Sequence, residues 1–302
     1  MTWFGPVSAL GECPRWDERS QTLSWVDIDG GRLHLARPLA ESWDSTSVQV
    51  GSPLAGAVAT ADGAGYVLSL GGDLVAWSHD TGLGARVGVL PREDATTLRL
   101  NETVTDPNGR IWVGSMAYDW TPGAGAFFVL EPDCRVRRVL SGFTITNGVG
   151  WSPDGAVMYT TETRPGCITA WDVAPGGDPV RPRALVTADG TDGSPDGLAI
   201  DAEGNIWSAF AGGGHVTSFS PEGAVLQRVE IDAPLVTSCC FAGTSRDRLI
   251  ITTGTKRLDA STLTRHPGSG RVWDAGFVGA KGLPQQPVTT VPGRLPFAVA
   301  ET

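Results

Sequence analysis

The chain has few positive charges, and they are not clustered. Of 302 residues, 23 are Lys or Arg and 33 are Asp or Glu, so the formal net charge is −10. No run of basic residues occurs anywhere in the sequence. Nucleic acids and anionic membranes are bound by clustered Lys and Arg side chains. The composition therefore argues against both as partners.

Patterned cysteines, a leader segment and long apolar runs are also lacking. The five cysteines show neither the spacing of a disulfide framework nor that of a zinc site. Residues 1–12 have neither the basic nor the apolar region of a signal peptide. No apolar run approaches the length of a membrane span. We therefore expect a cytoplasmic protein without membrane insertion.

Turn residues, in contrast, are abundant and recur at a fixed interval. The 40 glycines and 21 prolines separate many short apolar runs, a pattern typical of all-β chains. Segments such as VTDPNGRIWVGSM, GWSPDGAVMYTTE and AIDAEGNIWSAFA each join two apolar strands through a tight turn. With TADGAGYVLSL they give steps of 46, 46 and 49 residues between the turn glycines Gly63, Gly109, Gly155 and Gly204.

Two looser copies, RWDERSQTLSWVDI and CFAGTSRDRLIITTG, bring the number of repeats to six. Each repeat leaves room for two further strands, which matches one four-stranded propeller blade. The sequence thus predicts an all-β, six-bladed β-propeller as a single domain over residues 1–302. A large apolar residue follows three positions after each clear turn glycine and is expected to pack between blades: Tyr66, Trp112, Met158 and Trp207.

One position near the start of each repeat is restricted to oxygen-bearing or small side chains. The six residues at this position are Glu12, Ala55, Asn101, Asn147, Asp196 and Thr237. In a propeller the first strand of every blade lines the central channel, so these positions should converge on one mouth. Glu12, Asn147 and Asp196 form an all-oxygen set that suits Ca²⁺, Mg²⁺ or Mn²⁺, with coordination positions left for water and substrate.

The alternative is that some of these residues only build turns. Asn147 and Asp196 each precede glycine, and Asx-Gly pairs are common in simple turns. Glu12 has no comparable local explanation, and the shared position in the repeat favours the metal site. Because neither His nor Cys occupies this position, a site that prefers zinc is disfavoured.

Five segments in this order resemble the regucalcin/gluconolactonase family, the senescence-marker-protein group of lactone hydrolases. They are LGECPRWDERSQTLSWVDIDGGRL, RLNETVTDPNGRIWVGSM, TNGVGWSPDGAVMYTTET, SPDGLAIDAEGNIWSAFAGGGHV and TSCCFAG. The resemblance implies a six-bladed propeller with one divalent ion at its axis, Ca²⁺, Mg²⁺, Mn²⁺ or Zn²⁺, with Ca²⁺ favoured. It implies that Glu12, Asn147 and Asp196 hold the ion and that Asp196 is also the general base.

The resemblance further implies substrate contacts from Arg99, Asn101 and, in a more variable loop, Asp119. Two positions depart from the family pattern. Glu162 stands where relatives have Asp, and Glu102 follows Asn101 where Asp is frequent. For Glu102 a solvated loop carboxylate and a role in the site are both open.

The expected function is metal-dependent hydrolysis of sugar (aldono)lactones to the corresponding acids, with a small-molecule sugar lactone as partner. Neither a G-x-S-x-G nucleophile elbow nor a nucleotide-binding glycine motif is present. Two alternatives remain open, a phosphoester or fluorophosphate hydrolase and a non-enzymatic propeller that binds metal or sugar. The identity of the lactone and the oligomeric state are left open too.

Overall fold

A computed structural model describes residues 1–40, 42–90, 98–131 and 133–289. The strands of the first half are β1 (Thr2–Phe4), β2 (Gly11–Asp17), β3 (Thr22–Asp27), β4 (Arg32–Pro38), β5 (Trp43–Gln49), β6 (Leu54–Ala59), β7 (Tyr66–Leu70), β8 (Asp73–Ser78), β9 (Gly82–Val89), β10 (Leu98–Thr105), β11 (Ile111–Ala117), β12 (Gly125–Leu130) and β13 (Val136–Phe143). Those of the second half are β14 (Thr146–Trp151), β15 (Val157–Glu162), β16 (Cys167–Val173), β17 (Pro179–Thr187), β18 (Ser194–Ile200), β19 (Ile206–Ala211), β20 (His215–Phe219), β21 (Val225–Glu230), β22 (Val236–Ala242), β23 (Arg248–Thr253) and β24 (Val272–Phe277).

The strands form six antiparallel sheets of four strands each. Blades 1 to 5 take consecutive strands from β2 to β21, and blade 6 has the order β22, β23, β24, β1. The first strands β2, β6, β10, β14, β18 and β22 contact one another in sequence, and β22 contacts β2. The predicted six-bladed β-propeller is therefore confirmed.

The ring is closed by strand pairing between distant parts of the chain. Residues of β1 pair with β24, with Thr2 opposite Asp274 and Phe4 opposite Val272. Blade 6 thus joins the first strand of the chain to its last three. The sequence repeats alone do not reveal this arrangement, because β1 has only three residues.

The apolar positions three residues after each turn glycine are confirmed as blade-packing positions. Trp112 is fully buried and meets Trp151 edge to face, with ring centroids 5.7 Å apart. Trp207 meets Phe241 of the next blade in the same way at 5.6 Å. Tyr66 and Met158 are buried as well. Such aromatic pairs, in addition to their apolar area, hold neighbouring blades in register.

In blades 2 to 5, the tight turn between the first two strands contains an aspartate and a glycine. In blade 5, Asp201 accepts hydrogen bonds from the backbone nitrogens of Glu203 (3.0 Å) and Asn205 (2.9 Å). Gly204 has a φ of +88°, which side chains larger than glycine rarely adopt. All these turns lie at the end of the channel away from Glu12, Asn147 and Asp196.

That far end of the channel is crossed by residues 281–289, which we call the strap. Leu283 donates to the Ile200 oxygen of blade 5 at 3.3 Å, and Val288 donates to the Ala59 oxygen of blade 2 at 2.9 Å. Between these points, the Gln285 side chain accepts from the nitrogen of Trp16 in blade 1 at 3.0 Å. The strap therefore connects blades on opposite sides of the ring.

Helix is scarce, as the sequence predicts. Helix α1 (Ala260–Arg265) lies in the long β23–β24 loop, and the carboxylate of Asp259 accepts from the nitrogen of Thr262 at its start. Within the described ranges, no helix has the length and apolar character needed to cross a membrane.

Candidate metal centre and substrate site

The six predicted positions lie on the innermost strands of the six blades, near one mouth of the channel. In every one of these strands the pairing register shifts at this position or directly after it. A β-bulge of this kind bends the strand and redirects a side chain. The bulges therefore explain how one position per blade is aimed at the channel, a feature that the repeat analysis did not identify.

Glu12, Asn147 and Asp196 are nearly inaccessible, with 5%, 5% and 6% of their surface exposed. The charge of Glu12 is, after burial, the largest cause of the raised pKa of Asp196. Asn147 donates from Nδ2 to Thr163 Oγ1 at 2.9 Å. This bond fixes the amide so that its oxygen is the atom left for a ligand.

The two carboxylates are in an unfavourable environment unless a cation joins them. Burial, and then the charge of Glu102, raises the pKa of Glu12 to about 8, although Arg99 and Arg15 oppose the shift. Burial, and then the charge of Glu12, raises the pKa of Asp196 well above its usual range. Asp196 Oδ1 has no hydrogen-bond partner among the described residues. A buried, unsatisfied carboxylate oxygen of this kind fits a hard divalent ion.

The described residues contain no group of three His, Cys, Asp or Glu side chains placed to hold a metal. The predicted set supplies only two such residues, Glu12 and Asp196, and its third oxygen comes from the amide of Asn147. A metal here would therefore depend on that amide. The donor set is all oxygen, which matches Ca²⁺, Mg²⁺ or Mn²⁺ better than Zn²⁺.

Glu102 does not face solvent, and the interpretation as a solvated loop carboxylate is wrong. Only 4% of its surface is exposed, and its Oε1 accepts from Arg15 at 2.9 Å and from the Thr103 nitrogen at 2.9 Å. The thiol of Cys13 lies 3.4 Å from the same oxygen. Glu102 thus forms an ion pair with Arg15, and its negative charge helps to raise the pKa values of Glu12 and Asp196.

Arg99 and Asn101 lie together beside the carboxylates. Arg99 donates from Nη1 to Asn101 Oδ1 at 2.7 Å and to the Leu100 oxygen at 3.0 Å. Burial lowers the pKa of Arg99, and the charges of Asp29 and Glu12 oppose this shift. The remaining guanidinium nitrogens are the donors left for a substrate.

Asn101, which is expected to contact the substrate, also has hydrogen-bond partners within the protein. Its Nδ2 donates to the Thr146 oxygen at 2.7 Å, while its Oδ1 accepts from Arg99. Both ends of the amide are therefore used within the protein. Asn101 links blades 3 and 4 and orients Arg99, which is a role that its position in the motif alone does not reveal.

Asp119, which is expected to contact the substrate, lies in the exposed β11–β12 loop. Its carboxylate accepts from the nitrogen of Thr121 at 3.0 Å and from Thr121 Oγ1 at 2.7 Å. The neighbouring Tyr118 is close enough for its charge to raise the pKa of Arg99. Glu162 holds the β13–β14 loop by accepting from the Thr144 nitrogen at 2.7 Å.

The chain has relatives among known proteins over most of its length. The model of the SMP-30/Gluconolactonase/LRE-like region matches residues 10–255. Regucalcin of Xenopus laevis is 32% identical over 286 residues, covering 91% of this chain and 93% of the relative. Regucalcin of Danio rerio is 31% identical over 282 residues, covering 91% and 93%.

Solved structures show the same fold. A luciferin-regenerating enzyme is 28% identical with a TM-score of 0.85, covering 93% of this chain and 96% of the other. A calcium-binding regucalcin from Agrobacterium tumefaciens is 24% identical with a TM-score of 0.86, covering 94% and 95%. A gluconolactonase from Xanthomonas campestris is 21% identical with a TM-score of 0.69, covering 90% and 87%. With the family model matched over most of its length, the chain belongs to the SMP-30/gluconolactonase/LRE-like family.

Proposed function

We propose that this protein is a divalent-metal-dependent lactonase that opens sugar (aldono)lactones to the corresponding sugar acids. The observation that carries the proposal is the pairing of two buried carboxylates, one with an unsatisfied oxygen, with the guanidinium of Arg99 at one mouth of the channel. Membership in a family that includes gluconolactonases supports the reaction class.

Glu12, Asn147 and Asp196 would hold the ion through oxygen atoms. A divalent ion in this position supplies Lewis acidity, which polarises a lactone carbonyl and lowers the energy of the charge that develops on its oxygen. The Agrobacterium tumefaciens structure is described as a calcium-binding protein, which supports Ca²⁺ as the first ion to test. Mg²⁺ and Mn²⁺ suit the same oxygen donors.

The other steps of the reaction are assigned to side chains of the protein. Asp196 Oδ1 has no hydrogen-bond partner among the described residues and is suited to accept the proton of the attacking water. Arg99 donates to hydroxyl or ring oxygens of the sugar, and Asn101 holds Arg99 in place through the 2.7 Å bond.

The test combines metal removal with a substrate panel. Purified protein is chelated, its metal content is measured, and hydrolysis of several aldonolactones is followed before and after Ca²⁺, Mg²⁺ or Mn²⁺ is added. We expect activity to disappear on chelation and to return to different extents with each ion. Asp154→Asn, a change at an exposed turn in blade 4, serves as the matched control for Asp196→Asn.

Three outcomes contradict the proposal. Full lactone hydrolysis by protein shown to be metal-free would refute the role of the ion. Hydrolysis of a phosphotriester or fluorophosphate, but of no lactone, would assign the site to phosphorus esters. Metal binding without any hydrolysis would make the protein a binding module.

A further inference from the structure

Above the site, one tryptophan contacts two arginines from other blades. Trp120 lies in the β11–β12 loop of blade 3. The guanidinium carbon of Arg164, in the β15–β16 loop, is 4.4 Å from the centroid of its ring. The guanidinium carbon of Arg257, in the β23–β24 loop, is 4.0 Å from it. We call Trp120, Arg164 and Arg257 the clasp.

The clasp spans the mouth of the channel. Arg257 belongs to blade 6 and Trp120 to blade 3, and these two blades are opposite each other in a ring of six. A contact between their loops therefore has to pass over the channel axis. The clasp lies on the same side of the ring as Glu12 and Asp196, because all three loops leave the strand ends near the ligand positions.

Two members of the clasp are close in sequence to residues tied to the site. The charge of Tyr118, two residues before Trp120, raises the pKa of Arg99. Thr163, directly before Arg164, accepts the hydrogen bond from Asn147 at 2.9 Å. These contacts fix the clasp next to the substrate position.

The third member is anchored similarly. Lys256, directly before Arg257, forms an ion pair with Asp29 at 2.6 Å. The charge of Asp29 in turn raises the pKa of Arg99. Arg257 therefore extends from a backbone segment that is held at the rim of the mouth.

Neither arginine of the clasp has a carboxylate partner in the described part of the chain, and both are exposed. The nearby carboxylates are occupied elsewhere, with Asp119 bound to Thr121 and Asp259 bound to Thr262. Two guanidinium groups on one ring repel each other, while cation–π contacts hold them there. An anion placed at the edge of the ring would interact favourably with both.

The charge of the whole mouth favours the same ligand. A divalent ion would balance Glu12 and Asp196, the Glu102–Arg15 and Asp29–Lys256 pairs are neutral, and Arg99 adds a positive charge. Together with the clasp, three guanidinium groups then lie at the mouth, and the carboxylates of Asp119 and Asp259 offset their charge in part, in a protein whose net charge is −10. Such a local field attracts anionic substrates.

We propose that the clasp binds a carboxylate or phosphate group carried by the lactone substrate, at the end of the molecule away from the reacting carbonyl. This inference rests on the proposed lactonase function and makes it narrower, since the preferred substrates are then acidic sugar lactones. A neutral aldonolactone would use the metal ligands and Arg99 but leave the clasp without its anion.

The experiment compares lactones that differ only in the anionic group. Glucono-1,4-lactone is paired with glucaro-1,4-lactone for the carboxylate, and glucono-1,5-lactone with its 6-phosphate for the phosphate. We expect the wild type to prefer the anionic member of at least one pair in kcat/KM. The pair with the larger preference identifies the anion. Arg164→Gln and Arg257→Gln should each reduce that preference about tenfold, because a charge-assisted hydrogen bond is lost.

Binding to chelated, metal-free protein, measured by calorimetry with the same lactones, gives a second readout that does not require turnover. The affinity for the anionic member should fall about tenfold in each variant, and the affinity for the neutral member should not change. Arg265→Gln is the matched control, because Arg265 is exposed in the same loop and bonds Thr262 instead of Trp120.

Two results would overturn the inference. An equal loss for neutral and anionic lactones would mean that the clasp only supports the loop, and no loss for either would mean that it does not meet the ligand. Failure of the lactonase proposal looks different. In that case the wild type hydrolyses neither member of a pair with any of the ions, while the calorimetric preference still decides whether the clasp binds the anion.

Discussion

Asp196 and Asp201 are five residues apart in blade 5, at opposite ends of the same strand, and both are almost fully buried. Asp201 accepts four hydrogen bonds, from two backbone nitrogens, the Asn205 amide and the Trp207 indole. Asp196 has an oxygen with no partner among the described residues. The first carboxylate is satisfied by the fold, whereas the second is left for a ligand.

The two aspartates thus have different roles at the two ends of one strand: Asp201 holds the turn, and Asp196 is available to a ligand. A buried polar group that the protein satisfies contributes to stability and specifies one conformation. A buried group that the protein does not satisfy lowers stability and is retained for another reason, such as metal binding or catalysis. Substitutions at the two aspartates should therefore have opposite profiles.

The largest effect is expected for Asp196→Ala. Loss of the proposed general base and metal ligand should lower kcat/KM by about a thousandfold or more. The fold should survive, because an unfavourable buried charge is removed. Kinetics at saturating metal, together with thermal unfolding, check both parts. Turnover at the wild-type rate would refute the catalytic assignment.

The next effect concerns pH and metal binding. Since the pKa of Glu12 is about 8 in the absence of metal, the ion has to displace a proton below that value. Affinity for Ca²⁺ should fall about tenfold per pH unit between about pH 8 and about pH 6. Calorimetry in buffers of different ionisation enthalpy would detect the released proton. A constant affinity over this range would contradict the shift.

The same shift affects stability. Glu12 keeps its proton in the folded, metal-free protein at pH values where the unfolded chain, with an ordinary pKa near 4.5, has lost it. The free energy of unfolding of metal-free protein should therefore decrease as pH rises from about 5 to about 8. With metal bound, this decrease should be smaller, which can be measured by denaturant unfolding with and without chelator.

Arg99→Ala should have a smaller and substrate-dependent effect. The loss of a charged donor should reduce kcat/KM about ten- to a hundredfold for a hydroxylated lactone. A lactone without ring hydroxyls should be affected much less, and metal affinity should stay nearly constant. Since Arg99 is held by Asn101, Asn101→Ala should show the same substrate dependence. An equal loss on both lactones would refute the substrate contact.

The smallest effect on activity is expected for Asp201→Asn, at the other end of the comparison. The substitution replaces Oδ2 by an amide nitrogen, which cannot accept from the side-chain amide of Asn205 or the indole of Trp207, and should lower the free energy of unfolding by about 2 kcal/mol. The kcat/KM per folded molecule should not change. A loss of activity without a loss of stability would show that the two ends of the strand are coupled.

The spacing of turn residues was sufficient to predict the propeller, because a repeated strand–turn–strand unit has few other ways to bury its apolar face. The same spacing predicted which six positions face the channel, and the structure places all of them on innermost strands. That step works because register within a blade is set by the turn glycines, such as Gly109 and Gly204, which are visible in the sequence.

The partners of the site residues could not be predicted in this way. Arg15 and Glu102 are in different blades, and their pairing depends on how the blades pack. The clasp depends on the paths of three loops, for which no repeat exists. The same limit applies to Asp119, because the sequence motif before it does not predict the path of the β11–β12 loop.

The strap lies across the far mouth of the channel. Because residues 281–289 connect opposite sides of the ring there, a lactone substrate of the proposed reaction would enter, and the acid would leave, past Arg99 and the clasp. The acid formed from a lactone bears a new carboxylate close to the metal ligands and must move out before another molecule enters. Because substrate and product would share this one mouth, we expect product inhibition that is competitive with substrate. The inhibition should be strongest for products with two anionic groups.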